Sequence, residues 1–343
     1  AGAVNTPQLL FQSGIGDEQL LKKENIDVKV NLPSVGKYLY DHPMFILPVQ
    51  MDRHKGERRK NSKNLNLESQ ASGEQIEQAR LETRSLDQDN NTQMQELGLL
   101  NEVYTYMTKK SGSLAGIGLA DYITFLDTTE KNPQDPDIEL VHFFFTKADG
   151  APLATMMNFM NWRKPMIDTL VSSNQDHDTF MFMPMLLKPK SHGNITISKD
   201  VHSRPKIYFN YFDKDEDLIV SLKSIRIIQK MIDTKSFKKY HMRIIRIADP
   251  VCDTLTYDSD MYWKCTIKRR SSSYYHLSST ARMGDNMLSS VVNYKLQVHG
   301  VENVRVADAS VMPYTVNANI HATCVMIGEK AADLVKQDWK EKT

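Results

Sequence analysis

The polar residues best suited to acid–base chemistry lie near the C-terminal end of the chain. His276 follows two tyrosines and opens the polar segment 276–284. An imidazole titrates near pH 7 without help from its surroundings, so His276 can accept a proton from a substrate hydroxyl at that pH. A lone histidine is ordinarily a structural residue, and the residues around it must decide between these two interpretations.

Asn319 and His321 are further candidates, because they lie at the start of a predicted helix. Apolar residues recur at helical spacing through the segment 320–336. They are Ile320, Cys324, Ile327, Ala331 and Leu334. The N-terminal end of such a helix carries partial positive charge, which would stabilise a nearby anion. An asparagine cannot accept the proton but can hydrogen-bond a substrate oxygen, and His321 is the competing candidate.

Asp41 and His42 are a third pair that could be taken for an acid and a base. Adjacent side chains of an extended segment point to opposite faces, which separates these two groups. We therefore expect residues 41–43 to form a structural turn and not a catalytic pair.

The composition is that of a globular chain with no need for a strongly charged partner. The 343 residues are 41% hydrophobic and 25% charged, with a formal net charge of +1. This balance gives no reason to expect nucleic acid or an anionic membrane as partner. No apolar run approaches the ~20 residues that span a bilayer. The three cysteines lack zinc-type spacing, so no metal site is predicted.

The patterning predicts a mixture of helices and antiparallel strands. Apolar residues alternate with polar ones over 121–127, 137–145 and 179–187, which predicts three strands. Helices are predicted over 17–24 and 213–232. The apolar stripe of the longer helix consists of Leu218, Leu222, Ile225 and Met231.

Four ordered segments of the chain resemble the glucose–methanol–choline (GMC) family of flavin oxidoreductases. Residues 1–16 contain the signature Gly-Ala-Val-Asn-Thr-Pro, and residues 35–43 match a family turn except for Tyr38, where asparagine is usual. Residues 275–284 match the family's catalytic loop at its His, Thr, Arg, Met and Gly. Residues 292–313 end in Asp-Ala-Ser-Val-Met-Pro, as a strand pair of the family does.

The resemblance implies an α/β fold combined with an α+β part. The implied fold consists of a partial FAD-binding Rossmann-like domain and an antiparallel-sheet substrate domain backed by helices. Residues 1–44 and 277–343 would belong to the FAD-binding domain, and residues 45–276 to the substrate-binding domain. The segment 187–198 resembles a hairpin of the substrate sheet, with Gly193 in its turn.

Residues 54–98 form a polar insertion in the implied substrate domain. They are mostly charged and amide side chains with scattered leucines. Such a composition buries too little apolar area to offset the entropy of ordering, so we expect a solvated surface segment. The family varies at this place over the substrate entrance, and a lid is the alternative interpretation.

The resemblance also assigns chemistry to individual residues. His276 would be the base beside flavin N5, assisted by Asn319 at the family's second catalytic position. Asp308 and Ala309 would contact the ribityl and pyrophosphate part of FAD, and Asn319 and Ile320 would contact the cofactor as well. The implied reaction is oxidation of an alcohol CH–OH group with hydride transfer to the flavin.

The motifs resemble most those of the insect members of the family. This resemblance implies a small-molecule alcohol as substrate and a quinone or oxygen as electron acceptor. Glucose dehydrogenase-like oxidation is expected, and an ecdysteroid or another alcohol is the alternative. No Gly-x-Gly-x-x-Gly occurs in the chain. A truncated, non-catalytic fragment that binds no FAD is therefore the alternative from another class, and the isolated chain is expected to be inactive.

Cys252 and Cys265 match a cysteine pair of the insect members. A disulfide between them is expected if the protein is secreted, and two reduced thiols are the alternative. Two glycosylation sequons, at Asn90 and Asn194, are compatible with secretion, and an extracellular location is expected.

Overall fold

Helices and short strands alternate along the chain in the structure, a computed structural model that describes residues 1–52, 100–101, 103–111, 122–132, 134–197 and 204–340. The helices are α1 (Gly2–Gln12), α2 (Glu18–Lys23), α3 (residues 103–109), α4 (Gly150–Phe159), α5 (Lys164–Asp176), α6 (Asp215–Ile232), α7 (Lys235–Lys238), α8 (Asp260–Arg270) and α9 (His321–Lys340). The strands are β1 (Ile15–Gly16), β2 (Val30–Asn31), β3 (Pro43–Met44), β4 (Leu47–Met51), β5 (Tyr122–Leu126), β6 (Ile138–Phe145), β7 (Asp178–Leu186), β8 (Asn194–Thr196), β9 (Lys206–Tyr208), β10 (Arg243–Ile244) and β11 (Ser272–Ser273). The predicted insertion 54–98 lies outside the described residues.

The main sheet of the described residues is antiparallel and has seven strands. Its central strand is β7, which pairs with β6 along one edge and with β4 and β3 along the other. Strand β5 extends the sheet beyond β6, and β10 and β11 pair with β4 and β3. The strands predicted from alternation are β5, β6 and β7, so that prediction is confirmed.

Helices cover both faces of this sheet, because alternate residues of β7 are apolar on both sides. Phe182 and Leu186 pack towards α6 and α8, whereas Met181 and Met183 pack towards α4 and α5. The predicted helix 213–232 corresponds to α6. Its buried apolar residues are Leu218, Leu222, Ile225 and Ile228, and Met231 is half-buried.

A separate apolar core joins the two ends of the chain. It includes Leu10 and Phe11 of α1, Leu21 of α2, Val291 and Val292, and Ile327 and Leu334 of α9. The predicted helix 17–24 corresponds to α2, which Asp17 caps through a 3.0 Å hydrogen bond from the Leu20 N–H. The parallel pair β1–β2 lies beside this core. The division into domains at residues 44 and 276 remains a prediction.

The expected strand pair 292–313 is not formed by regular strands. Single β-bridges join Val292 to Val298 and Gln297 to Arg305, and a short 3-10 helix, Ala309–Val311, follows them. The segment therefore follows the predicted path without a continuous ladder of hydrogen bonds.

The prediction for Gly193 was wrong, because this glycine does not form the turn of a hairpin in the main sheet. Strands β8 and β9 form their own two-stranded sheet, and Gly193 bridges to Leu39. A Cβ atom at position 193 would lie 1.8 Å from the carbonyl oxygen of Tyr208. The glycine is needed for this close backbone approach and not for a left-handed turn.

Cys252 and Cys265 form a disulfide that joins the 3-10 helix Cys252–Thr254 to α8. The third cysteine, Cys324, is free and half-buried on α9. Among the described helices, none has the length and apolarity to cross a membrane. The described residues also contain no cluster of three or more acidic, histidine or cysteine side chains that could hold a metal ion.

Candidate active site

The extended segment 276–283 lies between two other parts of the chain. Tyr40 and Ser278 exchange two main-chain hydrogen bonds, with N···O distances of 3.2 and 2.8 Å. On the other side, the Ala281 N–H donates to the Ser310 carbonyl at 2.9 Å. These contacts bring the predicted catalytic loop against both the 35–43 turn and the 308–310 segment.

The His276 ring contacts the ring of a second histidine, His42. The two Nδ1 atoms are 2.8 Å apart, and the rings meet edge to face with centroids 5.0 Å apart. His42 is fully buried, and its Nε2 atom is 3.1 Å from the hydroxyl oxygen of Thr315. A chain of three polar side chains therefore runs from His276 towards the loop that precedes α9.

Asp41 fixes the backbone at both histidines. One oxygen of its buried carboxylate accepts hydrogen bonds from the main-chain N–H groups of His42, at 2.8 Å, and of His276, at 2.9 Å. The other oxygen accepts a short hydrogen bond from the Tyr211 hydroxyl. Both residues contact His276, Asp41 at its main-chain N–H and His42 at its ring. The expectation that residues 41–43 form only a structural turn is therefore corrected.

Both imidazoles are neutral at pH 7, because burial disfavours their charged forms. Burial lowers the pKa of His276 to about 4. Burial, together with the nearby His276, lowers the pKa of His42 to about 3. A neutral imidazole offers one unprotonated ring nitrogen, which is the requirement for a general base.

Asn319 contacts a buried acid that the sequence analysis did not identify. Its amide Nδ2 donates to Oε1 of Glu139 at 3.4 Å, and Oε2 of Glu139 has no hydrogen-bond partner within the described part of the chain. Glu139 is fully buried in β6, and burial raises its pKa to about 7. Tyr274 lies near both groups: its ring centroid is 5.1 Å from that of His276, and burial, with a smaller contribution from the Glu139 charge, raises its pKa.

His321, the competing candidate, is the first residue of α9 and its side chain is exposed. Of the residues that the structure describes, none hydrogen-bonds to its ring. The contact with Glu139 therefore favours Asn319 over His321 as the second polar group of the site.

The predicted cofactor contacts at Asp308, Ala309 and Ile320 lie on the other side of the catalytic loop. Asp308 is already engaged: one carboxylate oxygen accepts from the Ser310 N–H at 2.8 Å, and the other accepts from the Gly2 N–H at 3.1 Å. Ile320 is half-buried against the core shared by α1 and α9. What these residues can offer a cofactor is therefore mainly main-chain groups.

Sequence reasoning missed Glu139, and it considered His42 but assigned it to a structural turn. Glu139 occupies a position of β6 that alternates with Val141 and Phe145 on one buried face. A charged residue in such a pattern is costly to bury, and this cost is the signal that could have identified it. For His42, no pattern in the sequence reveals a ring contact with a residue 234 positions away.

The chain is similar in sequence to known oxidoreductases. Residues 189–328 match the family model of the GMC oxidoreductases. The whole chain aligns with glucose dehydrogenase [FAD, quinone] of Drosophila melanogaster. The two are 28% identical over an alignment of 347 positions, which covers 47% of that protein. Ecdysone oxidase of Spodoptera littoralis is also 28% identical over 349 residues, which cover 49% of it. The chain spans about half the length of these relatives.

Solved structures show the same fold. A formate oxidase of Aspergillus oryzae superposes with a TM-score of 0.70 over 99% of this chain and 54% of its own, at 24% identity. Pyridoxine 4-oxidase of Mesorbium loti superposes with a TM-score of 0.61 over 97% of this chain and 50% of its own, at 16% identity. Residues 189–328 therefore contain the C-terminal domain of the GMC oxidoreductases, and the whole chain is similar in sequence to proteins of that family.

Proposed function

We propose that the chain provides the acid–base residues of an FAD-dependent oxidoreductase that oxidises an alcohol CH–OH group. The observation that carries this proposal is the neutral His276, whose Nδ1 is held by His42 while its Nε2 has no hydrogen-bond partner in the described part of the chain. An unprotonated Nε2 could accept the hydroxyl proton of an alcohol.

The residues around the site suit the flavin end of FAD. Helix α9 begins near the catalytic loop, and the first N–H groups of an α-helix have no acceptor within the helix. The Ser310 hydroxyl is buried with no partner among the described residues. We infer that main-chain groups of Asp308, Ala309, Asn319 and Ile320 would hold the cofactor, within an FAD-binding unit formed by residues 1–44 and 277–343. When bound, FAD supplies the hydride acceptor.

The chain's own residues then perform the proton chemistry. His276 accepts the hydroxyl proton at Nε2, and the Asn319 amide donates a hydrogen bond to the substrate oxygen. The N-terminal end of α9 adds partial positive charge beside that oxygen. His42 and Glu139 are fully buried behind these groups, whereas His276 is half-buried and Asn319 is exposed to an incoming substrate.

The relatives support a substrate class and an acceptor. Similarity to glucose dehydrogenase [FAD, quinone] favours a hydroxyl group of a sugar as the substrate and a quinone as the acceptor. Similarity to ecdysone oxidase favours an ecdysteroid and leaves oxygen as the alternative acceptor. The Cys252–Cys265 disulfide supports a secreted protein.

A binding and reduction experiment tests the proposal. The full-length protein is purified, incubated with FAD, freed of unbound cofactor by gel filtration, and scanned for flavin absorption near ~450 nm. Glucose, an ecdysteroid and an aromatic alcohol are then added without oxygen. We expect a yellow protein that one of these alcohols bleaches. A protein that retains no FAD would support the non-catalytic alternative, and a yellow protein that no alcohol reduces would contradict the proposed reaction.

A further inference from the structure

We propose that His42 is a positioning residue that selects the tautomer in which His276 can act as a base. This inference rests on the proposed function of His276, and the contact between the two rings carries it. The Nδ1 atoms of the two histidines are 2.8 Å apart, which is hydrogen-bond distance. Two unprotonated nitrogens would repel each other at this distance, so one Nδ1 carries a proton and the other accepts it.

Only one of the two arrangements leaves His276 competent. If His42 donated from Nδ1, His276 would carry its own proton on Nε2 and would have no lone pair for the substrate. If His276 donates from Nδ1, its Nε2 is unprotonated and faces no protein partner among the described residues. A neutral imidazole has one N–H, so the tautomer of His42 determines the tautomer of His276.

The surroundings of His42 favour the competent arrangement. With Nδ1 as an acceptor, His42 must carry its proton on Nε2, which lies 3.1 Å from the Thr315 hydroxyl oxygen. The main chain of Val316 and of Leu187 also favours a proton on this ring, as carbonyl acceptors do. The Thr315 hydroxyl oxygen can accept a proton donated from Nε2 of His42, and this is the arrangement that the proposal assigns.

The same contact stabilises the product of the proton transfer. After His276 has accepted the hydroxyl proton on Nε2, it is an imidazolium with N–H groups at both positions. The lone pair on Nδ1 of His42 then accepts from the charged ring, and a hydrogen bond from a charged donor is about twice as strong as a neutral one. This support matters because burial lowers the pKa of His276 to about 4, which makes the isolated ring a weak base.

The other titratable groups near the pair do not replace this role. Asp41 contacts only the main-chain N–H groups of the two histidines, and Tyr211 reaches them only through Asp41. Tyr274 packs edge to face on His276 and donates no hydrogen bond to its Nδ1. His42 is therefore the one described side chain that can hold the Nδ1 proton of His276.

The tautomers can be read directly by nitrogen NMR on the intact protein labelled with ¹⁵N-histidine, because protonated and unprotonated ring nitrogens have well-separated shifts. The chain has 10 histidines, and the variants His42→Leu and His276→Gln assign the two signals of interest. We expect a protonated Nδ1 on His276 and a protonated Nε2 on His42 at pH 7. The reverse pattern in the wild-type protein would overturn the inference, whatever the activity of the protein.

Thr315 provides a matched pair of variants that leave both histidines in place. Thr315→Val removes the hydroxyl and keeps the shape, whereas Thr315→Ser keeps the hydroxyl. We expect Thr315→Val to mix the His276 tautomers and to lower kcat about 2- to 10-fold, the worth of one hydrogen bond, and Thr315→Ser to retain the wild-type spectrum. Equal spectra for the two variants would contradict the role of Thr315 and Nε2 in selecting the tautomer. Correct tautomers without turnover would instead count against the proposed function.

Discussion

The carboxylate of Asp41 holds the main-chain N–H of His276 at 2.9 Å across 235 residues of sequence. The same oxygen holds the N–H of His42, so one buried acid sets the backbone at both histidines. Burial raises the pKa of Asp41, and hydrogen bonds from Ser273 and Tyr211 act in the opposite direction. This acid therefore makes the site dependent on folding of distant parts of the chain.

Replacing Asp41 with asparagine tests this dependence. The asparagine side chain keeps one acceptor oxygen, but an NH2 group replaces the other oxygen. This NH2 group faces N–H or O–H groups that also donate, so buried donors are left unpaired. We expect Asp41→Asn to lower the free energy of unfolding by about 1–3 kcal/mol, measured by urea denaturation. Asp176→Asn is the control, because Asp176 is 81% exposed and its ion pair with Lys147 spans 3.9 Å. Equal effects of the two substitutions would contradict the role of Asp41.

The raised pKa of Glu139 predicts that the stability of the protein depends on pH. Its pKa is about 7 in the folded protein and 4.5 for the free side chain, so the folded state favours the protonated form. The wild-type free energy of unfolding should therefore fall as pH rises from about 4.5 through about 7. Glu139→Gln mimics the protonated form and removes this loss. We expect the variant to gain up to about 3 kcal/mol over the wild type across this range.

Glu216→Gln is the control for Glu139, because the pKa of Glu216 is lowered by hydrogen bonds that include one from Lys190. Its effect should be small and should have the opposite sign, since a lowered pKa stabilises the folded state at higher pH. Urea denaturation at several pH values measures the free energy of unfolding of each variant. If this free energy changed with pH in parallel for Glu139→Gln and the wild type, Glu139 would not be a buried, unpaired acid.

The disulfide predicts a loss of stability on removal of both sulfurs. The double variant Cys252→Ser with Cys265→Ser opens a loop with a sequence separation of 13 residues. We expect its free energy of unfolding to be about 3 kcal/mol lower than that of the wild type, because the unfolded chain gains the entropy of the open loop. Cys324→Ser is the control, because Cys324 is free. A double variant as stable as the Cys324→Ser variant would contradict the bond.

Two glycines give opposite predictions for the same substitution. A Cβ at Gly193 would lie 1.8 Å from the Tyr208 carbonyl oxygen, whereas a Cβ at Gly328 of α9 meets no atom within 4 Å. Gly193→Ala should cost about 1–3 kcal/mol or more. Gly328→Ala should stabilise the protein by about 0.5–1 kcal/mol, since alanine loses less entropy in a helix. Thermal unfolding of both variants measures the difference, and a change of the same sign in both would contradict this packing.

The sequence predicts the elements better than the site, for physical reasons. Strands β5, β6 and β7 and helix α6 have apolar periodicity that depends only on local spacing, so their existence follows from the pattern. Gly193 was misplaced, because a glycine signals either a turn or a close approach, and only the position of Tyr208 decides between them.

The contacts of the site depend on tertiary structure in the same way. The resemblance at residues 275–284 indicated His276, but only folding brings His42 to His276 and Glu139 to Asn319. The burial that lowers the pKa of His276 and raises that of Glu139 is likewise a property of the packed chain.

The most direct test of the account is the rate at which an alcohol substrate reduces the bound flavin in His276→Ala and His321→Ala, measured by stopped-flow absorbance on FAD-loaded protein. His276→Ala should slow flavin reduction by about 10²–10⁴-fold, the contribution of a positioned acid–base group, while FAD stays bound. His321→Ala should reduce the flavin at nearly the wild-type rate, because His321 is exposed at the start of α9. A wild-type rate in His276→Ala together with loss of reduction in His321→Ala would contradict the assignment of the base.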